Sequence, residues 1–467
     1  MSWLLNIAYI LLLIAVSPVL LYRMLAHGKY RDGWGEKLLG RLPARSSYRP
    51  CLWFHAVSVG EVLQLQSVLR ELEPQLPGHD FVITTTTVTG LSVAREKFAA
   101  DRHHVCYFPL DFSWAVGRAL DVIQPRAIVL VELELWPNFI AAAGRRGIPL
   151  ALINGRISER SFRGYRRIRV LMRWLLQRFE TLAVQNETYG RRLTELGAPA
   201  DRVVVTGSIK FDGVNTNRNN PQTAELRRSF GIGQTERVFV AGSTQAPEED
   251  VALQSWMSLR EEFPELRLIL VPRHKERFEE VAELVRSHGL PLQRRTEKSN
   301  IAVGNAVPGV PRLLTDPDHH RGRSLQADRP AGQSQKTPIL LLDTLGELGV
   351  CWGLADVAFV GGSLTRRGGQ NMIEPAAYGA AVLFGPNTWN FRDVVELLLN
   401  SGAARVVADR EELTNTVGEL LRDEAAAVKQ GQIAQRLVVA QQGATAKTSE
   451  LLVQLAGPID VSQSRAA

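Results

Sequence analysis

Residues 53–66 read WFHAVSVGEVLQLQ. An apolar run closes in a small glycine-containing turn, and a glutamate then opens a helical pattern. Strand, turn and helix in that order make the first half of a β-α-β unit, and the rhythm repeats along the chain. CLWFHAV (51–57), DFVITTTT (80–87), HVCYFPL (104–110), AIVLVEL (127–133), PLALING (149–155), TLAVQN (181–186) and VVVTGS (203–208) read as strands. Helical patterns such as 62–73 and 91–100 lie between them. Apolar strands alternating with helices predict a parallel sheet covered on both faces.

After the polar stretch DGVNTNRNNPQ (212–222) the pattern restarts. RVFVAGS, LRLILVP, PILLLD, VAFVGGS and AAVLFGP supply the strands of a second unit. The fold class is therefore α/β, with two Rossmann-like domains over 30–214 and 215–455 facing each other across a cleft. A chain of 467 residues is long enough for two such domains. In open parallel sheets ligands sit at the carboxyl ends of the strands, so the candidate site residues are sought there. Residues 293–338 interrupt the second domain with a Pro-, Gly-, Arg- and Ser-rich run, expected to be a mostly disordered insertion. His319 and His320 lie within it as an adjacent pair without metal-ligand spacing.

Residues 1–22 carry no side-chain charge before Arg23 and are long enough as a helix to cross a bilayer core. A cleaved signal peptide is the alternative, but the stretch has no basic n-region and no small-residue cleavage site follows it. The reading is an uncleaved transmembrane anchor. Arg23, Lys29, Arg31, Lys37, Arg41, Arg45 and Arg49 then outnumber Asp32 and Glu36, and positive flanks stay in the cytoplasm. The body is expected at the inner face of the cytoplasmic membrane.

Apolar residues make up 45% of the chain and charged residues 22%, which excludes a disordered polar protein. Cys51, Cys106 and Cys351 are scattered, without a disulfide framework or metal spacing, as suits a reducing compartment. The net charge of +7 calls for an anionic partner. Its excess gathers beside the anchor and in 156–179, RISERSFRGYRRIRVLMRWLLQRF. There Ile168, Leu171, Met172, Leu175, Leu176 and Phe179 form one helical stripe ringed by arginines. That distribution points to anionic lipid rather than nucleic acid. The bland alternative is a helix packed on its own core with a solvated basic face. Walker A and GxGxxG motifs are both missing, so neither NTPase nor dehydrogenase chemistry is signalled.

Glu61 has two readings. Ser58-Val59-Gly60-Glu61 matches the capping box, in which the glutamate reaches back to the helix start. The same turn follows the first strand, where a carboxylate facing a cleft can take a proton from an attacking hydroxyl. VELELWPN (131–138) ends another strand with Glu132 and Glu134, which alternation places on one face. Lys210, in TGSIKFD, sits just past a strand end and suits a leaving phosphate. In the second domain AGST (241–244) can present backbone N–H groups to a phosphate. VPRHKER (271–277) sets Arg273 and His274 at a strand end, and DTLGELG (343–349) makes a turn ahead of a helix. In VGGSLTRRGGQNMIEP (360–375), Gly361, Gly362, Gly368 and Gly369 would let the backbone approach a ligand, and Asn371 and Glu374 share a helix start.

Together HAVSVGE, VELELWPN, QNETYGRRLTELGA, VTGSIKFD, LVPRHKERF, DTLGEL and FVGGSLTRRGGQNMIEP resemble the 3-deoxy-D-manno-octulosonic acid (Kdo) transferases, from the N-terminal anchor to about residue 450. The resemblance implies a GT-B fold, CMP-Kdo as donor, a lipid A precursor (lipid IVA) as acceptor, inversion at the sugar, and no metal or other cofactor in the chemical step. It puts the proton acceptor on Glu61 and transition-state stabilisers on Glu132 and Lys210. CMP contacts fall on Pro272, Arg273, Leu345, Gly346, Glu347, Asn371, Met372, Ile373 and Glu374. Leu345 stands where many relatives have Met, and the 293–338 segment is longer than the family pattern. The competing expectations are another GT-B enzyme, such as a UDP-sugar transferase or nucleotide-sugar epimerase, and a non-catalytic sugar- or lipid-binding protein.

Overall fold

The computed structural model describes residues 2–27, 32–45, 47–297 and 337–457. Within them the chain divides into two compact units. The first contains the residues up to Gly213 together with the C-terminal segment from Ala440, and the second runs from Val214 to Val439.

The first unit is built on seven strands: β1 Cys51–His55, β2 Asp80–Thr85, β3 His103–Tyr107, β4 Ala127–Val131, β5 Leu150–Gly155, β6 Thr181–Val184 and β7 Val203–Val205. They pair in parallel in the order β3-β2-β1-β4-β5-β6-β7. The side chains divide by the two-residue period of a strand. Trp53, Val82, Ile128, Leu130 and Leu152 enter one apolar cluster, and Leu52, Phe54, Ile83, Val129 and Ile153 enter the other. Both faces are thus buried, which is why these strands read as continuous apolar runs.

The second unit repeats the plan with β8 Arg237–Thr244, β9 Leu266–Pro272, β10 Leu292–Arg294, β11 Ile339–Leu341, β12 Val357–Val360, β13 Ala381–Phe384 and β14 Ala404–Val406. The order is β10-β11-β9-β8-β12-β13-β14, again all parallel. Ordered structure therefore continues past the expected start of the insertion at 293, because β10 pairs with β11. The expected disorder, with His319 and His320, concerns residues 298–336, which lie outside the described residues.

Three further points differ from the sequence expectations. The helices read over 62–73 and 91–100 run Val59–Leu72 and Val88–Lys97, each starting where a hydroxyl cap, Ser58 or Thr87, bonds an N3 amide. The C-terminal helix Ala444–Ala456 belongs to the first unit, although the second domain had been expected to reach 455. Asp212 accepts from the amides of Gly443 and Thr445 at its start, and its Leu452 joins the cluster around the Val59–Leu72 helix. The basic segment forms two helices, Glu159–Arg166 and Arg169–Leu176, and Met172, Leu175, Leu176 and Phe179 are core residues. Ile168, at the break between them, is half exposed and leaves the stripe.

The N-terminal helix Ser2–His27 contains an apolar stretch, Ser2–Val19, long enough to cross a membrane.

Candidate active site

In the first unit the site residues converge on the carboxyl end of the sheet. Ser58 caps the Val59–Leu72 helix, and Glu61 occupies its N3 position. Val57 N donates to Glu61 Oε2 at 2.8 Å, and Ser58 Oγ donates to Oε1 at 2.7 Å. The cap reading of Glu61 therefore describes the local geometry. Its carboxylate is buried, only 8% exposed. Burial pushes its pKa above the usual carboxylate range, against the hydrogen bonds from Ser58 and Val57, and the charge of Glu132 adds to the rise.

Glu132 and Glu134 lie beyond β4 in an irregular segment, not on the strand that alternation had predicted. The chain turns at Glu132 through a left-handed conformation, φ 60°, while its N–H still bonds Ile153 O at 2.9 Å. Arg156, the first residue after β5, forms an ion pair with Glu132, Nε lying 3.2 Å from Oε2. Burial first, then the charges of Glu61 and Glu132, push the Glu134 pKa up to about 7. Three carboxylates close enough to repel one another thus share this edge.

Lys210 lies in the single-turn helix Ile209–Phe211 after β7. The turn is held by Asn154, the buried residue near the end of β5: its Oδ1 accepts from Ile209 N at 3.2 Å and its Nδ2 donates to Gln64 Oε1 at 2.5 Å. Gln64 is on the Glu61 helix, so one amide ties the Lys210 turn to that helix. His55, at the end of β1, is fully buried, stacks on Phe108 at 3.7 Å between centroids, and burial lowers its pKa to about 3. It is a neutral wall residue.

The second unit gathers its expected nucleotide contacts at the carboxyl ends of β9, β11 and β12. Pro272 ends β9, and Arg273 follows it exposed, with its N–H on Thr244 O. Glu374 is buried enough to raise its pKa, opposed by a 3.0 Å hydrogen bond from Asn371 Nδ2 and by the charge of Arg273. Asn371 Oδ1 accepts from Ile373 N at the helix start. Met372 and Ile373 are core side chains, so only their backbone atoms face outward chemistry. Leu345 is 71% exposed, and Gly346 takes φ 86° with open space where a Cβ would stand. Glu347 accepts from Arg295 through Nε and Nη2 at 3.0–3.3 Å and from the Thr344 hydroxyl. Burial opposes its ionisation, but these bonds outweigh it and hold the pKa below the usual range.

Two phosphate-loop expectations are corrected. Ser243 and Thr244 are part of β8 rather than a loop after it. The amides of Gly362, Ser363 and Leu364, with that of Gln245, all donate to the fully buried Glu248 at 2.6–2.9 Å. A Cβ on Gly361 would stand 2.6 Å from Thr244 Cα, and one on Gly368 would meet the Trp389 and Asn390 side chains. These glycines permit chain-on-chain packing, and an internal carboxylate occupies the amides that a phosphate would need. Sequence reasoning missed Glu248, Asn154, Arg156 and Arg295. The legible signal for Arg156 and Asn154 was their place at the carboxyl end of a recognised strand.

A profile described as 3-deoxy-D-manno-octulosonic-acid transferase (kdotransferase) matches residues 32–213. The chain is 30% identical over 402 residues to the 3-deoxy-D-manno-octulosonic acid transferase of Haemophilus influenzae, covering 86% of each protein. It is 33% identical over 411 residues to the enzyme of the same name from Bordetella pertussis, again covering 86% of each. The UDP-GlcNAc 2-epimerase of Neisseria meningitidis superposes with a TM-score of 0.54 at 12% identity, over 86% of this chain and all of that one, a likeness of fold alone. The two doubly wound units are those of a GT-B protein, and the chain belongs to the 3-deoxy-D-manno-octulosonic acid transferase family.

Proposed function

We propose that this protein transfers Kdo from CMP-Kdo to a lipid A precursor, lipid IVA, in lipopolysaccharide biosynthesis, with inversion and with Glu61 as general base. The observation that carries this reading is the Glu61 carboxylate: buried, oriented by two hydrogen bonds, and with its proton affinity raised at the carboxyl end of the first sheet. Its oxygen would take the proton of the acceptor hydroxyl as that oxygen attacks the anomeric carbon. The bond from that carbon to the CMP phosphate breaks, and CMP leaves with the electron pair. Glu132 and Lys210 would stabilise charge as it develops in the transition state, with Arg156 holding the Glu132 side chain in place.

Pro272, Arg273, the Leu345–Glu347 turn and Asn371–Glu374 would hold CMP, Glu374 on the ribose hydroxyls and Arg273 on the phosphate. Met372 and Ile373 would contribute only backbone groups. The apolar N-terminal helix would attach the enzyme to the cytoplasmic membrane, with the catalytic units on the cytoplasmic side and the basic surface toward anionic lipid rather than nucleic acid.

Nucleotide choice tests the donor directly. CMP is expected to raise the melting temperature and UDP to leave it unchanged, with a mass increase of one Kdo on lipid IVA supplied with CMP-Kdo. Protection by UDP alone would refute the donor assignment.

A further inference from the structure

The N-terminal helix carries polar side chains at Asn6 and Tyr9, and both bind the body of the first unit. Asn6 Nδ2 donates to Ser113 Oγ at 2.7 Å, while its Oδ1 accepts from Ser113 N at 3.0 Å and Asn138 Nδ2 at 3.2 Å. Tyr9 OH donates to Asp111 Oδ2 at 2.9 Å. Asp111 also accepts from the amides of Asn138 and Phe139, capping the helix Pro137–Arg145, and burial raises its pKa to about 6. Asn6 lies about 25 Å along the helix axis from residue 23. The body thus grips the half of the helix that a straight crossing would carry across the bilayer. An apolar helix held in this way takes that face of the body into the lipid with it.

Leu12, Leu13 and Val16 continue the same stripe and face Phe112 and Trp136 across a cavity of about 300 Å³. Of the polar groups that line it, the Tyr9 hydroxyl and the Asp111 carboxylate bind each other, which leaves the single indole N–H of Trp136. Water needs two to four polar partners to stay in such a space, so the fitting occupant is apolar. Trp136 directly follows the segment that carries Glu132 and Glu134, and its ring lies 6.3 Å from that of His55 at the end of β1. The cavity therefore adjoins the carboxylate edge.

We infer that this cavity receives one fatty acyl chain of the lipid acceptor and so delivers the acceptor's headgroup to the Glu61 and Glu132 edge. The inference rests on the lipid-acceptor reading above. It commits to the acceptor rather than bulk phospholipid, because a chain seated against Trp136 brings its own headgroup to the carboxylates.

Val16→Trp tests it, because Val16 is 40% exposed on the helix and a larger side chain there fills the cavity without entering the core. In nanodiscs, kcat/KM for the tetraacylated disaccharide bisphosphate should fall about tenfold, mostly through KM, the equivalent of losing roughly two buried methylenes. Transfer to the fully deacylated disaccharide should not change. An equal change on both acceptors, or on neither, overturns the inference.

A tetraacylated probe with a diazirine in one acyl chain provides a readout independent of turnover. It should label residues around Leu13 and Phe112 in the wild type and not in V16W. A diazirine phospholipid that labels them equally, undiminished by acceptor, also overturns it. Transfer without labelling would keep the proposed function and remove the acyl site; labelling without transfer would do the reverse.

Discussion

Glu248→Gln is expected to destabilise the second unit strongly, although Glu248 has no role in the proposed chemistry. Its Oε1 accepts from Ser363 N and Leu364 N, and its Oε2 from Gln245 N and Gly362 N, at 2.6–2.9 Å. The side chain is fully buried. A glutamine in the same pose keeps one acceptor oxygen and turns an NH2 group toward the other two amides. Each buried bond left unmade costs ~1–3 kcal/mol, so the total for two is ~2–6 kcal/mol. For a unit of this size that corresponds to a fall of ~4–24 °C in the melting transition, read by calorimetry against wild type. The 362–364 turn leads into Asn371 and Glu374, so protection by CMP should weaken as well. A variant that melts within ~1 °C of wild type and binds CMP equally well would show that the four amides find water or other acceptors, and the packing account of this loop would be wrong.

Two other substitutions probe the first unit. Glu134 has a raised folded pKa of about 7, so the folded state binds its proton more tightly than the unfolded state does. The stability from this group is full below pH 4.5 and is lost as pH rises through 7, so Glu134→Gln should match wild type at pH 5 and exceed it at pH 8 by ~1–2 kcal/mol, discounted for its partial exposure. Urea midpoints at the two pH values check this, and parallel profiles would refute it. Asn154→Ala removes the bonds to Gln64 and Ile209 and leaves alanine at φ 53°. A loss of ~2–3 kcal/mol is expected, with a lower transfer rate because the Lys210 turn is released. A loss below ~0.5 kcal/mol would refute the bracing role of that amide.

The sheets were legible in the sequence because buried parallel strands are apolar on both faces and cannot be mistaken for amphipathic ones. The two strands that went unread, β10 (Leu-Gln-Arg) and β14 (Ala-Arg-Val), are three-residue edge strands with polar content, and they carry no such signal. The C-terminal helix gave no sign of its unit, because its partner, Asp212, lies more than 200 residues upstream. At the candidate site, sequence position picked out Glu61, Glu132 and the candidate residues of the second unit, since each lies after a strand. It could not separate glycines that face a ligand from glycines that face another chain segment, because that depends on what a Cβ would meet. Nor could it identify Glu248 as the partner of the glycine-rich turn, since an acidic residue in the first turn of a helix is ordinary.

The central claim is that the capped, buried carboxylate of Glu61 removes the acceptor proton. The direct measurement is single-turnover transfer of Kdo from CMP-Kdo to lipid IVA by wild type and Glu61→Gln, each checked for melting temperature and CMP binding. Glutamine keeps the side-chain size and an acceptor for Val57 N–H but has no basic oxygen, so the account predicts a folded, CMP-binding variant whose transfer rate falls by ~10²–10⁴. A variant that transfers at the wild-type rate would contradict it and leave Glu61 with its capping role alone.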